Sequence, residues 1–113
     1  MGDRGQVELV MSEGSIFLYT HWGAEGLPWV VAKALDRGRS RWDDDEYLNR
    51  IIFSQMIKDE VMEETGYGIG LDEHGDTWRL VCVDHNSKTV TVIDNGNSGP
   101  DLTFDEFVNI YGN

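Results

Sequence analysis

The chain has 113 residues, 21 acidic against 9 basic, a net charge of −12 and an apolar fraction of 40%. That length suits one domain, and the apolar fraction, with four residues each of Trp, Tyr and Phe, argues against wholesale disorder. The negative balance disfavours direct binding to nucleic acid or anionic membranes, no apolar run reaches the ~20 residues that span a bilayer, and the lone Cys82 cannot close an internal disulfide.

Residues 1–5 read as a loose tail without the basic and apolar regions of a signal peptide, so the expected location is cytoplasmic. Val7, Leu9 and Met11 alternate with Glu8, which predicts a strand, and Ser12-Glu13-Gly14-Ser15 a turn. A second strand is expected over 16–21, apolar on both faces and therefore central. Gly23-Ala24-Glu25-Gly26 breaks it. Leu27, Val30, Val31, Ala34 and Leu35 then fit a one-faced helix, with Pro28 in its first turn and Gly38 at its end.

The second helix is expected from Asp43 to Glu64 or Thr65, stopping at Gly66. Asp43 and Glu46 stand at capping-box spacing. Tyr47, Leu48, Ile51, Ile52 and Met56 form one stripe, and Phe53 and Ile57 lie beside it. A surface helix buries a stripe of roughly 100°, so a wider one predicts a second contact, a homodimer seam among the options. Three strands follow, over 67–71, 78–84 and 89–94, joined by short turns that favour an antiparallel meander. Residues 95–100 read as a polar loop. Thr103 and Glu106 form a capping box for a final helix, with Leu102 and Phe107 at the staple positions. The order ββααβββα predicts an α+β domain with an antiparallel sheet of about five strands.

Few residues carry a chemical signature. His21, His74 and His85 lack metal-ligand spacing, so no metal and no cofactor is expected. Cys82 lies in the apolar run Leu80-Val81-Cys82-Val83 and reads as a packed thiol. The strand-to-helix loop at 20–26 is the one enzyme-like feature, because amides at a helix N-terminus can hold an anion. His21, Trp22, Gly23 and Trp42 are the candidate ligand-binding residues there, with Trp29 as a further wall. Glu25 opposes an anion, and no phosphate-loop or dinucleotide fingerprint is present.

Charge is unevenly placed. Residues 43–76 hold 11 acids and only Arg50 and Lys58 as bases, directly after the basic run Arg37-Gly38-Arg39-Ser40-Arg41. Asp43, Asp44, Asp45, Glu63 and Glu64, with Phe53 and Ile57, form the expected interaction surface. A protein partner with a basic surface would suit it.

Thr-His-Trp-Gly at 20–23, Leu-Pro at 27–28, Arg-Trp-Asp-Asp at 41–44, Tyr-Leu at 47–48, Arg-Ile-Ile-Phe at 50–53 and Glu-Thr-Gly-Tyr-Gly-Ile at 64–69 cover about half the chain. This pattern resembles small uncharacterised proteins of bacterial and phage genomes. The resemblance transfers no functional residue and implies an accessory or host–phage interaction role. The expected function is a small acidic interaction module without catalysis. The alternatives are a small-ligand-binding protein or enzyme using the 20–26 loop, and an acidic decoy of a nucleic-acid-binding surface.

Overall fold

The computed structural model describes residues 2–112. In chain order the elements are β1 (Gly5–Met11), β2 (Gly14–Thr20), α1 (Leu27–Arg37), a 3-10 turn (Arg39–Arg41), α2 (Asp45–Ile57), β3 (Tyr67–Gly70), β4 (Arg79–Asp84), β5 (Thr89–Asp94), β6 (Asn97–Ser98), β7 (Leu102–Thr103) and α3 (Phe104–Tyr111). The protein is an α+β domain. Its sheet runs β3-β2-β1-β4-β5-β6, with β7 also paired to β5.

Alternation decides which face meets the helices. Val7 and Leu9 of β1, Leu18 of β2, Val81 and Val83 of β4 and Val90 of β5 are buried against Leu27, Val31 and Leu35 of α1, Leu48 and Ile52 of α2, and Phe104 and Phe107 of α3. Pro28 falls in the first turn of α1, and Gly38 caps its end by donating N–H to Ala34 O at 2.8 Å. The capping box of α3 is present, with Glu106 N donating to Thr103 Oγ1 at 3.1 Å and Thr103 N to Glu106 Oε1 at 2.8 Å.

The expected sheet needs correction. It is mixed, because β1 and β4 pair in parallel from Gly5↔Arg79 to Val10↔Asp84, and it has seven strands, not about five. The expected meander of β3, β4 and β5 does not form. β3 pairs with β2, and residues 71–78 then cross β2 and β1 on the face away from the helices. The buried Gln6 holds that crossing. Its Nε2 donates to His74 O at 2.9 Å and Thr77 Oγ1 at 2.7 Å, and its Oε1 accepts from His74 N at 2.9 Å. The Tyr19 ring stacks on His74 with centroids 4.6 Å apart.

Helix α2 also departs from expectation. Its N-cap is Asp44, whose Oδ1 accepts from Tyr47 N at 3.2 Å, while Asp43 instead pairs with Lys88 at 3.1 Å. It stops at Ile57, not at Glu64 or Thr65. Extension would place Asp59, Glu60, Glu63 and Glu64 at a helix C-terminus, where negative charge opposes the macrodipole. No apolar gain offsets this, since Val61 and Met62 are exposed. Nor is the start of the chain loose. Trp78 Nε1 donates to Asp3 Oδ1 at 2.6 Å, Arg4 pairs with Asp76 at 3.0 Å, and Gly5 opens β1; Met1 lies outside the described residues.

Candidate functional site

The two ends of the sheet separate the expected ligand-binding residues. His21, Trp22 and Gly23 follow β2, at the end where Thr20 faces Gly5. His21 Nδ1 lies 3.0 Å from Tyr19 Oη, and the His21 and Trp22 rings meet edge to face at 5.2 Å. Trp42 stands at the other end, in a polar cleft of about 180 Å³ with Ser12, His85 and Lys88. Its Nε1 donates to Leu35 O at 2.9 Å and its ring packs edge-on against Phe104. Trp29 goes to a third place, against Tyr111. The tryptophans therefore do not wall one pocket.

The 20–26 loop has already engaged the amides an anion would need. Gly23 N donates to Thr20 Oγ1 at 3.0 Å, Ala24 N to Asp3 O at 3.1 Å and Glu25 N to Asp3 Oδ2 at 2.8 Å. Arg79, reaching across from β4, binds the carbonyls of Ala24 and Glu25 at 3.2 and 2.9 Å. The cavity lined by Thr20, Gly23, Leu27 and Tyr67 holds only about 40 Å³. A far larger open cleft, about 580 Å³, lies between β5, residues 95–100 and α3. Its one carboxylate, Asp94, is taken by Arg79 at 2.7 and 3.0 Å. Burial pushes the Cys82 thiol up to about 11, so it is protonated at neutral pH and a poor nucleophile. Among the described residues, no three His, Cys, Asp or Glu side chains come together as a metal site.

The expected acidic surface divides in two. Asp43, Asp44 and Asp45 sit at the start of α2, and Glu63 and Glu64 beyond its end. Between them runs α2, whose 13 residues are about 20 Å long at 1.5 Å per residue. The first group has local duties, as the Lys88 pair, the N-cap and a wall of the polar cleft. The basic run beside it is also used. Arg39 pairs with Asp36 and Asp105, Arg37 donates to Ile51 O, and Arg41 lies over the Tyr47 ring. Phe53, expected at a seam, is half-buried against the protein's own core. Ile57 is half-buried in a surface groove with Arg37, Arg50 and Val61.

A different region gathers the exposed apolar side chains. Among the described residues eight large ones are exposed, and Val61, Met62, Ile69 and Leu71 belong to the short segment that carries β3. A fifth, Trp22, lies on Gly66, the residue before β3; a Cβ there would overlap its ring, and the φ of +101° also favours glycine. The same segment is strongly acidic. Asp59, Glu60, Glu63, Glu64, Asp72 and Glu73 are all exposed, with Lys58 as the single base among residues 58–73. Tyr67 Oη donates to Glu60 Oε1 at 2.9 Å and ties this loop to the strand. Burial, then the Glu60 carboxylate, push the Tyr67 hydroxyl up to about 12, so it remains a donor.

β3 is also an edge strand, with β2 as its only strand neighbour among the described residues. Sequence reasoning placed 67–71 as the first strand of a meander beside 78–84 and did not identify the free edge that its pairing with β2 leaves. The available signal was Gly-Ile-Gly-Leu at 68–71 bracketed by acids: a strand too poor in side chains for a sheet centre. Among the described residues no helix is long and apolar enough to cross a membrane. Comparison with known proteins finds no family model, no curated protein and no solved structure that matches this chain.

Proposed function

We propose that this protein is a small acidic interaction module without catalysis of its own, and that its contact surface is the β3 edge. One observation carries the reading: four of the eight exposed large apolar side chains lie in one acidic segment, residues 58–73, that contains the edge strand, and a fifth, Trp22, packs on Gly66 within it. Exposed apolar groups clustered at one place mark an association site better than the same groups scattered singly. The six acids there give the partner a sign, a basic surface, and steer its approach over the ~8 Å reach of charges at physiological ionic strength. The resemblance to small bacterial and phage proteins favours an accessory or host–phage setting. The decoy reading has less support, since the five acids expected to form one surface, Asp43, Asp44, Asp45, Glu63 and Glu64, divide between the start of α2 and the segment beyond its end.

The test is parallel affinity capture from the native host with the wild-type protein and with the double variant Ile69→Lys, Leu71→Lys. Basic proteins retained by wild type, released by salt and lost from the variant are the expected result. Identical retention by both proteins would remove the β3 edge as the contact surface.

A further inference from the structure

We propose, on the footing of the interaction surface above, that the partner binds as an added β-strand alongside β3, through an extended segment with apolar alternation and basic residues at both ends. The ladder geometry points to this. His21 N donates to Gly66 O at 2.8 Å, and the β2–β3 register continues from there through Thr20↔Tyr67, Tyr19↔Gly68, Leu18↔Ile69 and Phe17↔Gly70. Bonded and non-bonded pairs alternate in an antiparallel ladder. Gly68 and Gly70 therefore bond toward β2, while Tyr67 and Ile69 turn their N–H and C=O groups outward. These two residues offer the donors and acceptors that strand addition uses.

Side chains on the two faces define what fits. Tyr67 and Ile69 lie on the helix-side face, opposite Thr20 and Leu18, and Ile69 is 62% exposed. An apolar residue of the added strand beside Ile69 would cover it. On the other face Gly68 and Gly70 leave open space at their Cα atoms, next to Tyr19 and Phe17 on β2. A large side chain of the added strand can lean across those glycines toward the two rings. Glu63 and Glu64 precede β3, and Asp72 and Glu73 follow it, so negative charge brackets the strand at both ends. A segment with Lys or Arg at both ends complements that pattern. A second copy of β3 does not: antiparallel self-pairing would set Glu63 and Glu64 against Asp72 and Glu73, and like charges across strands destabilise.

The test uses the full chain and a nine-residue peptide, blocked at both termini, with two Lys at each end of an alternating Val/Tyr centre. Two further peptides carry N-methyl groups on alternate central amides, one on each edge of the extended strand. Their charge is unchanged. Expected is binding of the parent peptide, a loss of tenfold or more for one methylation pattern relative to the other, and loss of binding to Ile69→Pro. The outward N–H of Ile69 makes that substitution compatible with the edge strand. Equal affinity of all three peptides would overturn strand addition while leaving attraction of a basic partner in place. Failure of every peptide to bind at millimolar concentration, with the protein monomeric, would overturn both. Self-association of wild type, abolished in Ile69→Pro and excluding the peptide, would assign the edge to a second copy and overturn the proposal.

Discussion

The two edges of this sheet are finished in opposite ways. Beyond β5 the chain folds back on itself. Asn95 and Gly96, with φ of 51° and 81°, make a two-residue turn that pairs Asp94 with Asn97 and Ile93 with Ser98. After Pro100 the chain returns to pair Thr89 with Thr103 and Val90 with Leu102, and α3 seats Phe104 and Phe107 in the core. Beyond β3 no further strand pairs among the described residues. That edge keeps outward ladder groups, two glycines and exposed Ile69, with Leu71 just past the strand. An open apolar edge invites self-pairing, and the flanking acids oppose it while leaving the edge accessible to an oppositely charged strand. One edge is closed by the chain itself; the other is where, on the proposal above, a partner strand adds.

If that division is right, substitutions should sort by edge. Phe107→Ala, at the closed side, should destabilise by about 3–5 kcal/mol because a fully buried ring leaves a cavity, as measured by urea denaturation. A cost under about 1 kcal/mol would mean that α3 is not integral to the fold. Gln6→Ala should cost roughly 1–3 kcal/mol, since it removes the acceptor of the His74 N–H and leaves the His74 carbonyl with only the long 3.4 Å bond from Thr77 Oγ1. Hydrogen exchange should also show residues 71–78 opening more readily in that variant. Thr103→Ala removes one side of the capping box and should cost about 1 kcal/mol.

The closed side also carries a pH dependence. Burial beside Phe104 holds His85 below its ordinary value of 6.5, outweighing the opposite pull of Asp45 and Asp84; Lys88 adds a small push in the same direction as burial. Between the two values the unfolded chain binds more protons than the folded one. Stability should therefore fall as pH drops from 6.5 through the lower folded value, and His85→Gln should flatten that slope in melting curves. Smallest of all should be the effect of Ile69→Lys on stability, within about 0.5 kcal/mol of wild type, as for other exposed positions. Binding of the basic peptide should nevertheless be lost, so stability and association separate at this edge. A large drop in urea midpoint for Ile69→Lys would instead make β3 part of the core.

Local chemistry was legible in the residues wherever partners lie close in sequence. The apolar spacing of α1, its Pro28 and Gly38, and the Thr103–Glu106 box act within one or two turns, so their pattern predicts the observed element. The Asn95-Gly96 hairpin was equally local, although residues 95–100 read only as a loop. The end of α2 depended on competition: its helical pattern weakens only gradually, and the balance between acids at a helix terminus and apolar side chains with no core to reach set it at Ile57. The parallel pairing of β1 with β4 joins residues more than 70 positions apart, and only tertiary packing selects it over a meander with equally good alternation. The apolar run of β4 is consistent with a strand covered on both faces but does not name its neighbour. The candidate site is the consequence of that choice. Once β4 pairs with β1, β3 has only β2 beside it among the described residues, and its outward backbone and exposed side chains become a surface. Composition determined that the surface would be acidic; topology decided which strand would be left at the edge.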